Sequence, residues 1–394
     1  MQNDLFSVII LHYNQPKYIL KAIDSVLCQN YANIELIITD DASSEIDEEK
    51  IKNHIEKNKK ENIKNISYVF NSENLGTVKT VNKAVKKCQG KYILFFAADD
   101  LLFDENVVSN YAKAFSKSED DVYMISSQCH MMDIKMKKEL QIFVDKEESI
   151  AFNKMTAKEQ YKLFCSKCFL AMGSTAMRAD MFQKYGYFSE NYKYVEDWSY
   201  FLHLTRLGGL IKYFDFDGLL HRDGGISHTT YSENTPKHIL GYLYDIARIF
   251  ETEVLPYVKQ FEPEFIIHII NRYTAEKGSY LKAGGKEKTF GKIKMFSLFP
   301  SFYVQSKLFP ITSNWEWLYR TIRAAAWISL VYIGLLAASL VAPFSRLFGM
   351  LSVVFSFVLL ALIATAFGII VIKLGLTWLR SIKKFINKMR GAWK

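Results

Sequence analysis

The first part of the chain alternates between short apolar runs and longer segments with helical periodicity. The apolar runs are Phe6–Leu11, Ile34–Thr39, Ile66–Phe70 and Tyr92–Phe96, and the helical segments between them are Tyr18–Cys28, Ile46–Asn62 and Thr77–Lys87. Strands separated by helices of this length form a mostly parallel sheet that is covered by helices on both faces. The pattern therefore predicts an α/β fold.

Two pairs of acidic residues follow strands of this predicted sheet. Asp40 and Asp41 end the second strand, and Asp99 and Asp100 end the fourth. Because ligands of parallel sheets bind beyond the carboxyl ends of the strands, we expect the four carboxylates at one edge. A single acid there can simply cap the next helix, but adjacent like charges are costly unless a cation compensates them. The pairs thus predict a Mg²⁺ or Mn²⁺ site that carries a diphosphate.

An ordered series of short motifs runs between about residues 5 and 228. The motifs are Ser7–Asn14, Ile23–Tyr31, Ile34–Ser43, Asn74–Gly76, Asn82–Ala84, Gly90–Ile93, Ala98–Asp100, Gly173–Thr175, Gly186–Phe188, Glu196–Trp198, Leu220–Arg222 and Gly225–Ser227. In this order they resemble the motifs of family 2 glycosyltransferases of the GT-A fold. The resemblance implies a GT-A nucleotide-diphospho-sugar transferase domain over residues 1–232, with a mostly parallel sheet, and an inverting transfer of sugar.

The resemblance also implies how the donor is held. Tyr13 and Asp41 match the positions that hold the nucleotide base, with the Asp41 carboxylate accepting a hydrogen bond from an imide N–H such as that of uracil. Asp99 and Asp100 match the positions that face the ribose and diphosphate and bind the cation, expected to be Mn²⁺ or Mg²⁺. Ala97 departs from the family, because it stands where the metal motif has its first acid.

Three further matches concern the reaction and the diphosphate. Asp197 matches the general base that deprotonates the acceptor hydroxyl, and Glu196 would orient it; an acidic first turn favoured by the helix dipole is the alternative for both. His221 and Arg222 match a flexible segment that closes over the diphosphate, where the guanidinium fork suits phosphate oxygens. A lone histidine such as His221 is more often structural. Lys79 is a further candidate for the same anionic group.

Two long uncharged segments near the C terminus are predicted membrane spans. Residues 324–345 and 347–372 contain 22 and 26 residues without a charge, which is long enough to cross a hydrocarbon core of about 30 Å. A buried hairpin of a soluble domain is the alternative, but the second segment has no polar face. Cations flank the outer ends, and Met1–Leu11 does not resemble a signal peptide. We therefore expect both termini and the catalytic domain in the cytoplasm.

The net charge of +9 is concentrated after Glu316. Ten cations and no acid follow that residue, whereas residues 1–316 carry 40 cations and 41 anions. This distribution argues against nucleic acid as a partner of the main domain. Residues 373–394 have the period of a basic amphipathic helix, lying either on an anionic leaflet of the cytoplasmic membrane or on the protein itself.

Residues 233–319 are predicted to be a helical, membrane-proximal region rich in Tyr, Phe and Trp. Aromatic side chains immediately before an apolar run are typical of a membrane interface. The region is either a collar that packs the catalytic domain against the bilayer or a groove for an acceptor lipid. The chain would thus comprise the GT-A domain, this region, a transmembrane hairpin over 320–372 and the amphipathic tail.

Together these features predict a metal-dependent, inverting hexosyl- or N-acetylhexosaminyltransferase of cell-envelope polysaccharide biosynthesis. The donor would be a nucleotide sugar, with a UDP-sugar expected before other nucleotide sugars. The acceptor would be a hydroxyl of a lipid-linked or cell-surface glycan. The alternatives are a polyprenyl-phosphate sugar transferase and a non-catalytic sugar-nucleotide-binding or scaffold protein of the same fold. A processive synthase is disfavoured because the sequence lacks Gln-x-x-Arg-Trp.

Deleting residues 320–394 removes both predicted spans and all ten cations after Glu316. The fragment is expected to lose its association with membranes, because little apolar area is left to insert. Flotation of the full chain and the fragment with lipid vesicles measures the difference. Equal flotation of the two proteins would show that the hairpin is not the anchor.

Overall fold

The computed structural model describes residues 4–225 and 235–283. The strands are β1 Phe6–His12, β2 Ile34–Asp40, β3 Ile63–Phe70, β4 Tyr92–Ala97, β5 Leu101–Leu102, β6 Val122–Met132, β7 Glu139–Ile142, β8 Thr175–Arg178 and β9 Leu210–Arg222. The helices are α1 Ile19–Leu27, α2 Glu48–Asn58, α3 Thr77–Val85, α4 Val107–Phe115, α5 Lys146–Asn153, α6 Ala157–Ser166, α7 Met181–Tyr185, α8 Asp197–Arg206, α9 Lys237–Ile249 and α10 Pro263–Lys282.

One half of the sheet is parallel, as the alternating pattern predicts. The strand order is β3-β2-β1-β4, and neighbouring strands are paired in parallel register, for example Ile9 with Ile37 and with Phe95. All seven residues of β2 are buried, as expected for a strand covered on both faces. The first four strands and the three helices between them all lie within the segments predicted from the sequence or within a few residues of them.

The other half of the sheet is mixed, which corrects the prediction of a mostly parallel sheet. The order continues as β8-β6-β9-β5, with β7 paired to β6. Four of the eight strand pairings in the described part of the chain are antiparallel, whereas β6 and β9 run parallel. The sequence does not predict these strands, because β8 has only four residues and β5 only two. Strands this short are too short for a clear period-two signal.

The helices bury apolar stripes on the sheet. In α1 the residues Ile19, Ile23, Val26 and Leu27 recur at three- and four-residue steps and are buried, which is the spacing of one helix face. Close approach matters at the start of β4, where Gly90 donates its N–H to Ser7 Oγ at 2.9 Å. A Cβ atom at Gly90 would lie 2.6 Å from the Ser7 nitrogen, so this position requires glycine.

The chain separates into two compact units. The first comprises residues 1–258 and 275–286, and the second comprises residues 259–274 and 287–394. Helix α9 belongs to the first unit, which thus extends beyond residue 232; there Ile239 and Leu243 pack with Ala283. In the described part of the second unit, Phe261 and Phe265 meet edge to face with ring centroids 5.1 Å apart.

The predicted transmembrane hairpin at residues 324–345 and 347–372 and the predicted tail at 373–394 lie outside the described residues. Within residues 4–225 and 235–283, the helices lack the combination of length and hydropathy that crossing a bilayer requires. In the described part of the region predicted to be helical, residues 233–319, the structure has the helices α9 and α10.

Candidate active site

The acidic residues predicted to converge lie at one edge of the parallel half-sheet. His12 at the end of β1 is paired with Asp40 at the end of β2, and Leu11 is paired on the other side with Ala97 of β4. Asp41 follows β2 directly, and Asp99 follows β4 after Ala98. The carboxyl ends of β2, β1 and β4 therefore form a continuous acidic edge.

Asp40 is held inside this edge by the end of β1. His12 Nδ1 lies 2.7 Å from Asp40 Oδ1, and both side chains are buried. The backbone N–H of Gln15 donates to His12 Nε2 at 3.3 Å, so the imidazole proton is on Nδ1 and is donated to Asp40. Ser43 donates its N–H and its hydroxyl to the same carboxylate. Asp40 thus ties the two strand ends together.

Asp41 organises the loop that precedes α3. Its Oδ1 accepts hydrogen bonds from Asn71 Nδ2 at 3.0 Å and from the Leu75 N–H at 2.8 Å, and its Oδ2 accepts the Gly76 N–H at 2.8 Å. Each carboxylate oxygen has two lone pairs, so Oδ2 retains the capacity for one further donor. Ala42, the next residue, has a φ of 59°, a strained conformation of the kind that concentrates at functional sites.

Tyr13 and Tyr194 provide aromatic surface near Asp41. Tyr13 leaves 48% of its surface exposed, although it directly follows a buried strand. Burial, with the neighbouring carboxylates Asp245 and Asp41 and the phenol of Tyr13, raises the pKa of Tyr194. Tyr13, Asp41 and Tyr194 are therefore close enough for their charges to interact, so an aromatic face and a carboxylate acceptor are both available in this region.

Asp99 and Asp100 differ in their surroundings. Asp100 is buried, with its carboxylate accepting the Arg222 N–H at 2.9 Å and contacting His221 Nδ1 at 3.0 Å. Asp99 is partly exposed, and burial together with the charge of Asp100 raises the pKa of its carboxyl group. Burial of His221 favours its neutral form, but the hydrogen bond to Asp100 and the charges of Asp100, Asp99 and Asp223 together outweigh this and raise the pKa of His221.

Arg222, at the end of β9, contacts the same edge of the sheet through hydrogen bonds to backbone carbonyl oxygens. Its Nε donates to the Asp99 carbonyl oxygen at 2.9 Å and its Nη1 to the Ile134 carbonyl oxygen. The guanidinium carbon lies 4.2 Å from the centre of the Tyr18 ring. In this arrangement Arg222 is buried and links three loops, so its predicted contact with a phosphate stays a prediction.

Lys79 lies on α3 and opens onto a cleft of about 570 Å³. The walls of this cleft include Leu75 from the Asp41 loop, Lys193 and Tyr194 from the segment before α8, and Asp245 from α9. Lys79 is exposed, so its ammonium group can reach an anionic ligand from this side. Its role toward the diphosphate also stays a prediction.

Glu196 and Asp197 stand at the N terminus of α8. Asp197 is the first residue of the helix, and its Oδ1 accepts the Trp198 N–H at 2.6 Å. Burial and the charge of Asp197 raise the pKa of Glu196 to about 8, and burial also raises the pKa of Asp197, an effect opposed by its hydrogen bonds from backbone N–H groups. Burial thus raises the pKa of both adjacent carboxyl groups, so the pair holds a proton at higher pH than isolated carboxyl groups would.

Asp245 is a buried acid that the motif analysis missed. It lies on α9, and its carboxylate accepts backbone N–H groups of the segment before Glu196. Its signal in the sequence is an acid between Leu243 and Ile246, both buried on the apolar face of the helix. Acids are seldom fully buried without partners, so such a placement could have marked it.

The acidic edge has a donor set suited to a hard cation that brings ligands of its own. In residues 4–225 and 235–283, no three side chains of His, Cys, Asp or Glu are grouped so that they could hold a metal ion. Asp99 and Asp100 nevertheless supply two adjacent carboxylates, and burial together with the charge of Asp100 raises the pKa of Asp99. Mg²⁺ is commonly bound by one or two carboxylates together with waters and substrate phosphates. These residues fit that mode of binding.

The comparisons with known proteins agree with the motif series. Residues 7–186 match the family model Glycosyl transferase family 2. An uncharacterized glycosyltransferase of Rickettsia prowazekii is 28% identical over 217 residues, covering 55% of this chain and 63% of that protein. An uncharacterized glycosyltransferase of Haemophilus influenzae is 29% identical over 223 residues, covering 53% and 62%. The matches thus span less than two thirds of either relative.

Residues 7–186 therefore match a family 2 glycosyltransferase domain, and the resemblance stated above is confirmed over this segment. The domain has a GT-A-like α/β fold with a mixed sheet.

Two solved structures show weaker similarity. S. aureus TarS 1-349 in complex with UDP-GlcNAc is 17% identical, with a TM-score of 0.49 over 81% of this chain and 90% of that chain. The mannosyltransferase PcManGT from Pyrobaculum calidifontis, in complex with GDP-Man and Mn²⁺, is 14% identical, with a TM-score of 0.42 over 92% and 86%.

Replacing Asp41 by Asn tests the loop anchor independently of catalysis. The amide NH₂ would face backbone donors where an oxygen now accepts, which is expected to destabilise the fold by about 1–3 kcal/mol. The thermal unfolding midpoint measures this loss. Asp47→Asn is the matched control, because Asp47 also accepts a backbone N–H, from Lys50, but at an exposed helix N-cap where Asn serves equally well. Equal midpoints for the two variants would contradict the role given to Asp41.

Proposed function

We propose that this protein is an inverting, metal-dependent glycosyltransferase. It moves a sugar from a nucleotide sugar, UDP-sugar in the first place, to a hydroxyl of a lipid-linked or cell-surface glycan. The observation that carries the proposal is an acidic site within the family 2 segment, residues 7–186, together with a second acidic site that follows this segment. One lies at the carboxyl-end edge of β2, β1 and β4, and the other is the Glu196–Asp197 pair at the start of α8.

Asp41 and Tyr13 support binding of the nucleotide base. Oδ2 of Asp41 accepts one hydrogen bond, from Gly76, and an imide N–H of uracil would be a suitable second donor. The exposed ring of Tyr13 offers a face on which the base stacks. A base with an imide N–H is favoured over one with an acceptor at that position, because a carboxylate cannot donate.

Asp99 and Asp100 would hold the cation, Mn²⁺ or Mg²⁺, at the diphosphate. When bound, such an ion supplies a positive charge that stabilises the leaving nucleoside diphosphate. The protein's own contribution is to fix Asp100 through His221 and the Arg222 N–H, and to leave Asp99 partly exposed beside it. Lys79 and Arg222 are the candidate cationic side chains for the same phosphates.

Asp197 would be the general base. Because the pKa of Glu196 is raised to about 8, Glu196 keeps its proton near neutral pH and leaves Asp197 as the ionised member of the pair. The raised pKa of Asp197 itself makes it a better proton acceptor than an ordinary aspartate. Since the base must be ionised, turnover should fall as the pH is lowered through this raised pKa, at a higher pH than for an ordinary Asp.

The reaction then balances as a single displacement. Asp197 takes the proton of the acceptor hydroxyl as its oxygen forms a bond to the sugar C1. The bond between C1 and the phosphate oxygen breaks, and its electron pair leaves with the nucleoside diphosphate. Attack opposite the leaving group inverts the configuration at C1, so no covalent sugar–enzyme intermediate is required.

The membrane location of the acceptor rests on the sequence. The two uncharged segments at 324–345 and 347–372 and the basic tail at 373–394 would keep the catalytic domain on the cytoplasmic face of the membrane. Confinement to that surface raises the effective concentration of a lipid-linked acceptor.

Asp197→Asn separates chemistry from binding. Nucleotide-sugar affinity is expected to stay nearly unchanged, while kcat falls by about 10²- to 10⁴-fold through loss of the base. Calorimetric donor binding and release of nucleoside diphosphate measure the two effects. Asp215→Asn, which alters an exposed carboxylate on β9, is the control and should match the wild type. Lost affinity with normal turnover per bound donor would make Asp197 structural.

A further inference from the structure

Segment 193–195, which precedes Glu196 and Asp197, is held by contacts on two sides. On one side the Lys193 carbonyl oxygen accepts the Val78 N–H at 3.3 Å, at the start of α3. The Lys193 side chain also covers Gly76, where a Cβ atom would lie 2.4 Å from Lys193 Cγ. Since Gly76 is the residue that donates to Asp41, this contact joins the segment to the base-binding loop.

On the other side the segment is held by the carboxylate of Asp245. Asp245 Oδ2 accepts the Lys193 N–H at 2.8 Å and the Tyr194 N–H at 2.7 Å. Asp245 is only 3% exposed, so these charge-assisted bonds are shielded from water and are among the stronger hydrogen bonds of a fold. Two consecutive backbone donors on one oxygen fix the position of the chain just before Glu196.

Gly241 lies four residues before Asp245 on α9 and makes room for the same segment. A Cβ atom at Gly241 would lie 2.3 Å from Cε2 of the Tyr194 ring. Residues four apart occupy the same face of a helix, so the two residues act on the segment together. Gly241 admits the ring of Tyr194, and Asp245 binds its backbone.

We propose that Asp245 is a positioning residue for the glycosyl transfer, which holds segment 193–195 and thereby places Asp197 and Glu196 against the acceptor hydroxyl. The inference rests on the proposed function and adds to it a residue from outside the matched family segment, which ends at 186. Helix α9 is therefore part of the catalytic apparatus.

The charge of Asp245 acts on the same pair. Glu196 is faced by Asp197 on α8 and by Asp245 on α9, and both carboxylates add to the effect of burial in raising the pKa of Glu196. Arg248 on α9 faces Asp245 in turn. Removing the negative charge at 245 makes ionisation of the pair easier, which lowers its pKa.

Two variants separate this charge from the geometry. Asp245→Asn keeps a carbonyl oxygen that can accept both N–H groups but removes the charge. The acid limb of the pH profile of kcat is expected to move to lower pH, with little change in the KM for the donor. Gly241→Ala keeps the charge of Asp245 but displaces the Tyr194 ring. It is expected to lower kcat by about 10- to 100-fold, because small misplacements of catalytic groups are costly. The acid limb of its pH profile is expected at the same pH as in the wild type.

Asp245→Ala combines both effects and should show both the lower kcat and the shift of the acid limb to lower pH. Glu251→Gln is the matched control, because it removes a carboxylate that follows α9 and pairs with Lys277 at 3.4 Å. It should leave kcat and the pH profile as in the wild type. Carboxyl ¹³C NMR titration of Glu196 in the wild type and Asp245→Asn gives the same pKa comparison without turnover.

An unmoved Glu196 titration in Asp245→Asn, or a kcat within twofold of the wild type in Gly241→Ala, would overturn the proposal. These results are distinct from a failure of the proposed function, in which the wild type itself would transfer no sugar. In that case the NMR titration still shows whether the charge of Asp245 changes the pKa of Glu196.

Discussion

Repulsion between carboxylates at the ends of β2, β1 and β4 is the constraint on which the site depends. Parallel strands end at one edge, so Asp40, Asp41, Asp99 and Asp100 are brought together. The fold offsets most of this charge with donors from elsewhere in the chain. His12 and Ser43 bind Asp40, the 71–76 loop binds Asp41, and β9 binds Asp100.

Asp99 is the member of this edge whose pKa is raised. Burial and the charge of Asp100 raise this pKa, and the hydrogen bond from the Gln15 side chain opposes the change only in part, so an ionised Asp99 is destabilising until a positive charge arrives. A cation bound with a diphosphate would supply that charge at the place where negative charge develops during transfer. The binding edge and the stability of the domain are in this way linked through one carboxylate.

The sequence predicted the parallel half-sheet and the acidic edge well, because β1, β2 and β4 are apolar runs of six or seven residues and acids stand at the end of β2 and shortly after β4. It failed on the mixed half, where β5 and β8 are too short to show a period. It also missed Asp245, because the contacts of this residue with Lys193 and Tyr194 join positions about fifty residues apart. Only the folded chain shows that α9 carries a carboxylate aimed at the segment before Asp197.

Calorimetric titration with a panel of sugar nucleotides, with and without Mn²⁺, tests the proposed activity most directly. The account predicts that a UDP-sugar binds in the presence of the cation, that EDTA abolishes this binding, and that Asp100→Asn abolishes it too. EDTA removes the cation that would neutralise the diphosphate, and Asp100→Asn removes a carboxylate that would bind this cation. Tight binding of the sugar nucleotide that is unaffected by EDTA and by Asp100→Asn would contradict the account.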